Sequence, residues 1–498
     1  MLYLQKNSQN FNDSVAIISD GTSYTYQQLI QAAESLALEI LGSANDLKEA
    51  PVAYMVNPGF DYVKSQWAIW LAGGIAVPIA VAHPMDAIQY ILEDTGAKTF
   101  ICSENFKSFV ADYCSSNNIR LIALPELVEG ELVEGELVKG GILPSIDMSR
   151  GAVILYTSGT TSLPKGVLTT HHCIESQIQA LVKAWEYTSK DHTLCVLPLH
   201  HIHGIINVIS CTLYVGGKVE FLPSFSAEAI FARFEQKLLN VFMAVPTIYF
   251  KLITYLESLT DEQRAHYKAI MQDFRLMISG SAALPVSVME KWEGLSGQRL
   301  LERYGMTEIG MAISNPYRGE RRAGHVGQPL PNVQVRLVDE ENQLVEAGQP
   351  GEIQIKGPNV FKEYWRKEKA TQEAFVDGWF KTGDVAELAD GYYKILGRNS
   401  TDIIKSGGYK LSALEIEEVL RTHEKVSDCS VIGLPDEEWG EVVAAVVIPE
   451  SEVTSTELNQ FMRTKMPAYR VPRKYLFVQE LPRNAMGKVT KNELKRLF

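Results

Sequence analysis

The chain has 498 residues, 46% of them hydrophobic and 21% charged, and a formal net charge of −13. That length exceeds what one hydrophobic core normally supports, so an ordinary globular composition implies two or more domains. The acidic balance excludes general nucleic-acid binding, which needs a basic footprint, and no uninterrupted apolar run reaches the roughly 20 residues of a membrane helix.

The opening segment MLYLQKNSQNFNDS has no basic region followed by an apolar run, so no secretory signal is expected, and its early asparagines and acid argue against an organelle peptide. Helical spacing over 26–40, with short apolar runs at 51–55 and 99–102, predicts alternating helices and strands in a mostly parallel sheet with helices on both faces. The apolar stretch 68–82 contains Gly and Pro and is expected to be buried strand and turn. Residues 127–140 run LVEGELVEGELVKG, a repeat far too short for a solenoid and expected to be a surface hairpin or loop. From 332 to 356 the pattern is β-like around a turn at 340–343, which predicts a small β-subdomain. Turn chemistry at 397–402 marks a domain boundary, followed by a helix at 413–422 and strands at 426–433 and 442–449. The expected domains are therefore a large unit, 1–397, and a small α+β unit, 398–498. The six cysteines (Cys102, Cys114, Cys173, Cys195, Cys211, Cys429) form no C-x-x-C pair, which suits free buried thiols in a reducing, cytoplasmic setting.

The strongest chemical signal follows a predicted strand at 152–155. It reads Tyr156-Thr157-Ser158-Gly159-Thr160-Thr161-Ser-Leu-Pro-Lys165-Gly166. Glycine lets backbone N–H groups close on phosphate oxygens, hydroxyls donate further hydrogen bonds, and Lys165 adds charge. The spacing is not that of the G-x-x-x-x-G-K-[ST] P-loop.

This run resembles the phosphate-binding signature of the adenylate-forming superfamily, which comprises acyl-CoA synthetases, peptide-synthetase adenylation domains and luciferases. Four more stretches resemble that family's motifs in order: Leu301-Glu302-Arg303-Tyr304-Gly305-Met306-Thr307-Glu308, then Gly378 to Asp384, then Gly397-Arg398 with Asp402 and Lys405-Ser-Gly407-Gly408, and finally Pro482-Arg483-Asn-Ala-Met-Gly-Lys488. The resemblance spans essentially the whole chain. It implies an α/β fold whose large N-terminal domain has αβαβα-type layers plus a small β-subdomain, and whose smaller α+β C-terminal domain is mobile. It also implies ATP, Mg²⁺ and coenzyme A as reactants or cofactors.

Residue by residue, the resemblance puts Glu308 and Thr160 on Mg²⁺, Thr307 on the α-phosphate, and Asp384 on the ribose with help from Arg398. Tyr304 would stack on adenine, with Gly280, Ser281 and Ala282 closing the other side and Glu302, Arg303 and Gly305 completing the nucleotide site. Lys488 would neutralise charge as two anions, a carboxylate and the α-phosphate, come together. In a second pose Lys405, Gly407 and Gly408 would line a tunnel for coenzyme A; the hinge position is Ser400, where the family usually has Asp or Lys.

The segment Leu197-Pro-Leu-His200-His201-Ile-His203 puts His201 at the family's acyl-pocket gate and adds His203. Together with Arg275 at the head of a strand leading to Ser279, and with Met306, His203 is expected to hold a second carboxylate on the substrate. This pattern resembles the malonyl-CoA synthetase branch, with methylmalonate as a further candidate. The alternatives are a medium- or long-chain fatty acyl-CoA synthetase, a module loading a carrier protein in trans, and a non-catalytic relative. The chain ends at Phe498 with no carrier domain after Lys488, which counts against the second. A monomer or homodimer is expected.

Overall fold

A computed structural model describes residues 3–125, 141–157, 163–222, 225–483 and 488–498, and every structural statement below concerns these residues. The 127–140 repeat therefore lies outside the described residues, as do Ser158, Gly159, Thr160 and Thr161.

Two largely parallel sheets form the body of the large domain. One is seven-stranded, with strands Pro51–Met55, Ile75–Pro78 and Thr99–Ser103 at its centre and the antiparallel pair Gly151–Thr157 and Lys165–Thr170 towards one edge. The other is nine-stranded and includes His192–Cys195, Val241–Ala244, Leu276–Ser279 and Leu301–Met306 side by side and parallel. The helices between them are amphipathic or wholly apolar. Tyr26–Leu41 is started by a capping box, in which the Thr25 hydroxyl accepts from the Gln28 N–H and the Gln28 side chain accepts from the Thr25 N–H, and it buries Leu29, Ala33, Leu36 and Ile40 along one stripe. A small antiparallel sheet follows, built from Gln334–Val338, Gly351–Lys356, Trp379–Ala389 and Tyr392–Arg398. Its first turn is held by the Asp339 carboxylate, which accepts from the N–H groups of Glu341 and Gln343.

One expectation fails in this region. The first part of the 68–82 stretch is the end of a helix, Phe60–Leu71, and the only strand is Ile75–Pro78. The helix is buried almost all round and its last turn, residues 68–71, is wholly apolar, so periodicity over that stretch cannot separate a buried helix from a buried strand.

From Ile403 onward the chain builds its own sheet, with Gly440–Pro449 at its centre and the long strand Val426–Asp436 paired along it at the edge. Alternation along these strands fills two cores: Val431, Val443, Ala445 and Val447 face one way, while Ile432, Val442, Ala444 and Val446 face the other. The helix Ala413–Arg421 covers the first core.

Candidate active site

A cleft opens where the parallel strands Val241–Ala244, Leu276–Ser279 and Leu301–Met306 end, and the small domain closes over it. Carboxyl ends of parallel strands are where such sheets bind ligands, because the loops there leave backbone groups unpaired. The cleft is lined by Thr157, Lys165, His201, His203, Ser281, Ala282, Glu302 to Glu308, Asp384, Arg398 and Lys488.

One end gathers acids and hydroxyls. Glu308 sits in the tight turn between Leu301–Met306 and Gly310–Ser314, where a Cβ on Gly305 would lie 2.1 Å from the Gly310 carbonyl oxygen. Its Oε1 accepts from the Tyr364 hydroxyl at 3.0 Å, while its buried Oε2 has no hydrogen-bond partner among the described residues. Burial pushes this carboxyl up from its ordinary value. Lys165 stands 5.0 Å over the Tyr364 ring, so the end of the phosphate-type turn and Glu308 meet on the same tyrosine. Asp384 accepts from the Tyr304 hydroxyl at 2.6 Å and from Arg398 Nε at 3.1 Å. Tyr304 thus orients the carboxylate through its hydroxyl, a contact that its place in the motif did not suggest.

Lys488 enters the cleft from the small domain. Burial lowers its pKa, with Arg398 and Arg303 adding to the effect and Asp384 and Asp402 opposing it. His201 is neutral: burial, then the Lys488 charge and His83, bring it down to about 4. Its ring lies 4.0 Å from that of His200.

A second group of cleft residues is buried and cationic. His203 is 3% exposed, and its Nδ1 lies 3.1 Å from the Ser281 hydroxyl. Arg303 is 4% exposed and directs Nη2 at the same hydroxyl, at 3.5 Å. A Cβ on Gly280 would lie 2.4 Å from the Arg303 Cζ, so only glycine lets the guanidinium lie flat there. His203 Nε2, Arg303 Nε and the Ser279 hydroxyl are buried without a hydrogen-bond partner among the described residues. Buried polar groups are normally satisfied, so a cluster of unmatched groups that includes a guanidinium marks an anion subsite. Burial lowers Arg303 to about 9 and raises the adjacent Glu302 to about 8. Glu302 points away, its Oε1 accepting from the Leu284 N–H at 2.9 Å.

Arg275 is not part of this pocket. It stands just before the strand Leu276–Ser279, at the end opposite Ser279, roughly 13 Å away at the rise of an extended chain. Its Nε and Nη2 each bond Asp191 at 2.6 Å, and Nη1 bonds the Trp185 carbonyl at 2.9 Å. It is therefore a structural ion pair, and the guanidinium facing His203 belongs to Arg303. The signal was present in the sequence: two ionisable residues, Glu302 and Arg303, interrupt an apolar buried strand, which is costly unless something uses them. Gly407 and Gly408 also stand apart from the cleft in this arrangement. They form the turn between Ile403–Ser406 and Tyr409–Ser412, flanked by Lys405 and Lys410, whose ammonium groups lie 3.9 and 2.7 Å from Glu340 of the β-subdomain.

No group of three or more His, Cys, Asp or Glu side chains among the described residues forms a metal cage. Mg²⁺ needs none, since it is usually bound by one or two carboxylates together with substrate phosphates, and the unmatched Glu308 oxygen fits that role. Residues 4–365 match the AMP-binding enzyme family, and residues 415–488 match its C-terminal domain.

The chain belongs to the AMP-binding enzyme family. This AMP-binding enzyme is 42% identical over 519 residues to a mitochondrial malonate–CoA ligase of Bos taurus, covering 98% of this chain and 88% of that one. Its structure is similar to that of ATP-bound MatB from Rhodopseudomonas palustris, with a TM-score of 0.90 and 31% identity over 100% of this chain and 99% of the other. The apo form of MatB gives 0.82 at the same identity and coverage. No helix among the described residues of this AMP-binding enzyme is long and apolar enough to cross a membrane.

Proposed function

We infer that this protein is an AMP-forming acid–thiol ligase that activates malonate, and also methylmalonate, and transfers the acyl group to coenzyme A. The observation that carries the substrate is the Arg303–His203–Ser281 pocket, which shares one cleft with Glu308 and Asp384. A monocarboxylate with an apolar tail has no use for a desolvated guanidinium; a second carboxylate has.

In the first step a malonate carboxylate oxygen attacks the α-phosphorus of ATP, the bond to the β-phosphate breaks, and pyrophosphate leaves. Arg303 and Ser281 hold the distal carboxylate, and neutral His203 donates or accepts beside them. Asp384, oriented by Tyr304 and Arg398, takes the ribose hydroxyls. Thr307 and Lys488 bond the reacting phosphate, the lysine offsetting charge that builds up as two anions meet. Glu308, with Thr160, would hold Mg²⁺, which when bound screens the phosphate oxygens. In the second step the thiol sulfur of coenzyme A attacks the acyl carbon, AMP leaves, and the thiol proton is lost.

The better match to the ATP-bound than to the apo form of MatB, together with Lys488 lining the cleft, supports an adenylate-forming pose. We take 1–397 and 398–498 as the two moving bodies, turning at Ser400 to bring Lys405, Gly407 and Gly408 against the coenzyme A arm. All six cysteines are free and buried, which supports a reducing compartment, the cytoplasm or the mitochondrion that the relative's name gives for that protein. The test is AMP release with coenzyme A across mono- and dicarboxylic acids. Malonate should be the best substrate; turnover of octanoate without turnover of malonate would overturn the assignment.

A further inference from the structure

Lys491 lies three residues after Lys488 and opens the short helix Lys491–Leu494. Its side chain is only 10% exposed, and its ammonium lies 2.7 Å from Asp402 Oδ1 and 2.8 Å from Glu417 Oε1. Both carboxylates are themselves tied into the backbone. Asp402 Oδ2 accepts from the Arg398 N–H at 3.0 Å, and Glu417 Oε1 accepts from the Val431 N–H at 2.8 Å. The ammonium therefore joins three pieces of chain: the segment that carries Lys488, the residues at the turning point between domains, and an edge strand of the small sheet, Val426–Asp436, through the helix Ala413–Arg421.

Stability alone does not account for this arrangement. A buried ion triad gains little over well-packed apolar side chains of similar volume, because desolvation consumes the Coulomb attraction. What such a triad supplies is a fixed geometry. Around Lys488, Val489 forms a single bridge with Arg483, and the Thr490 N–H donates to the Pro482 carbonyl at 2.9 Å. The next fastening along the chain is the Lys491 ammonium. Asp402 also lies in the electrostatic surroundings of Lys488, so the clasp sets both where Lys488 stands and part of the field that it feels.

We propose that the Lys491–Asp402–Glu417 clasp positions the Lys488 ammonium for adenylate formation, making Lys491 a positioning residue for the first half-reaction. This rests on the ligase reading above. Asp402, Glu417 and Lys491 all lie beyond the proposed turning point at Ser400, so the clasp travels intact with the small domain. Its loss therefore strikes the step that uses Lys488 and spares the step that does not. A misplacement of about 1 Å costs on the order of 100-fold in rate.

The test compares wild type, Lys491→Met and Lys491→Arg in two single-turnover assays: malonyl-AMP formation from malonate and Mg·ATP, and malonyl-CoA formation from supplied malonyl-AMP. Lys491→Met is expected to lower the adenylation rate constant by at least about tenfold, with the KM values for malonate and ATP and the thioester step unchanged, and Lys491→Arg is expected to restore most of the loss. Wild-type adenylation in Lys491→Met, or an equal fall in both steps that arginine does not repair, overturns the proposal. If Lys491→Met does not fold, Asp402→Asn, which keeps the Glu417 partner, carries the test: the same split supports the clasp, and unchanged adenylation overturns it. A wild-type protein that forms no malonyl-AMP overturns the ligase reading itself, and the proposal with it.

Discussion

Replacing Arg303 by Met removes the guanidinium while keeping an unbranched apolar stem of similar reach. Arg303 is 4% exposed, and its Nε lacks a hydrogen-bond partner among the described residues, so a bound carboxylate meets a nearly desolvated cation. Truncating one partner of a buried charge pair costs about 2–5 kcal/mol, and each 1.4 kcal/mol is tenfold. The ratio kcat/KM for malonate should therefore fall about 30- to 4,000-fold. Propionate, which has a methyl group in place of the distal carboxylate, should lose nothing and gain from the drier pocket, so the malonate-to-propionate preference collapses by the same factor. The variant should fold: the adjacent Glu302, raised to about 8, is mostly protonated at neutral pH, so no stranded charge remains. Pyrophosphate release with the two acids, alongside thermal melting, measures this. Arg275→Met is the comparator; it leaves buried Asp191 without its bidentate partner and should lower the melting temperature while shifting both acids equally. Equal losses for the two acids in Arg303→Met, or a malonate-specific loss only in Arg275→Met, would refute the pocket.

Lys488→Ala should slow malonyl-AMP formation by orders of magnitude and leave conversion of supplied malonyl-AMP to the thioester largely intact; equal loss in both steps would contradict its role. Because the Lys488 pKa is lowered, its charge is lost below the pH at which a free lysine deprotonates. The adenylation rate should accordingly fall on the alkaline side at a pH below 10.5, with no such fall in thiolysis; a limb at the free-lysine value would remove the desolvation argument. Gly280→Ala places a Cβ against the Arg303 guanidinium and should raise the KM for malonate with a smaller effect on the KM for ATP, as steady-state kinetics will show. Glu302→Gln tests the buried acid through stability. A folded-state pKa of about 8 against the ordinary value of 4.5 means that burying the carboxylate costs stability progressively from 4.5 up to 8 and fully above it. Glutamine should raise the melting temperature at pH 9 and change it little at pH 4; the reverse order would show the carboxylate to be stabilised where it lies.

Much of the site could be read in sequence because its motifs are local. Glu308, Thr307 and Tyr304 sit together on one strand end and its turn, and Asp384 and Arg398 lie on adjacent strands close along the chain, so short-range order carries their proximity. The partner of His203 was not legible in the same way. Arg275 stands at the head of one strand that leads to the cleft and Arg303 within another, and only their positions relative to the open end of the sheet tell them apart. The Gly407–Gly408 turn is a similar case, since its distance from the cleft depends on the angle of the small domain.

By itself the sequence determined the family, the two-domain order, the helix and strand periodicities and the identities of the groups proposed to handle phosphate and ribose. It could do so because caps, turns, alternation and contiguous motifs are properties of neighbouring residues. Tertiary structure alone decided which guanidinium meets His203 at Ser281, which buried polar atoms are left unmatched, and that Lys491 fastens the Lys488 segment to Asp402 and Glu417. Those facts depend on desolvation and on distances between residues far apart in the chain, and burial exists only once the sheets have packed.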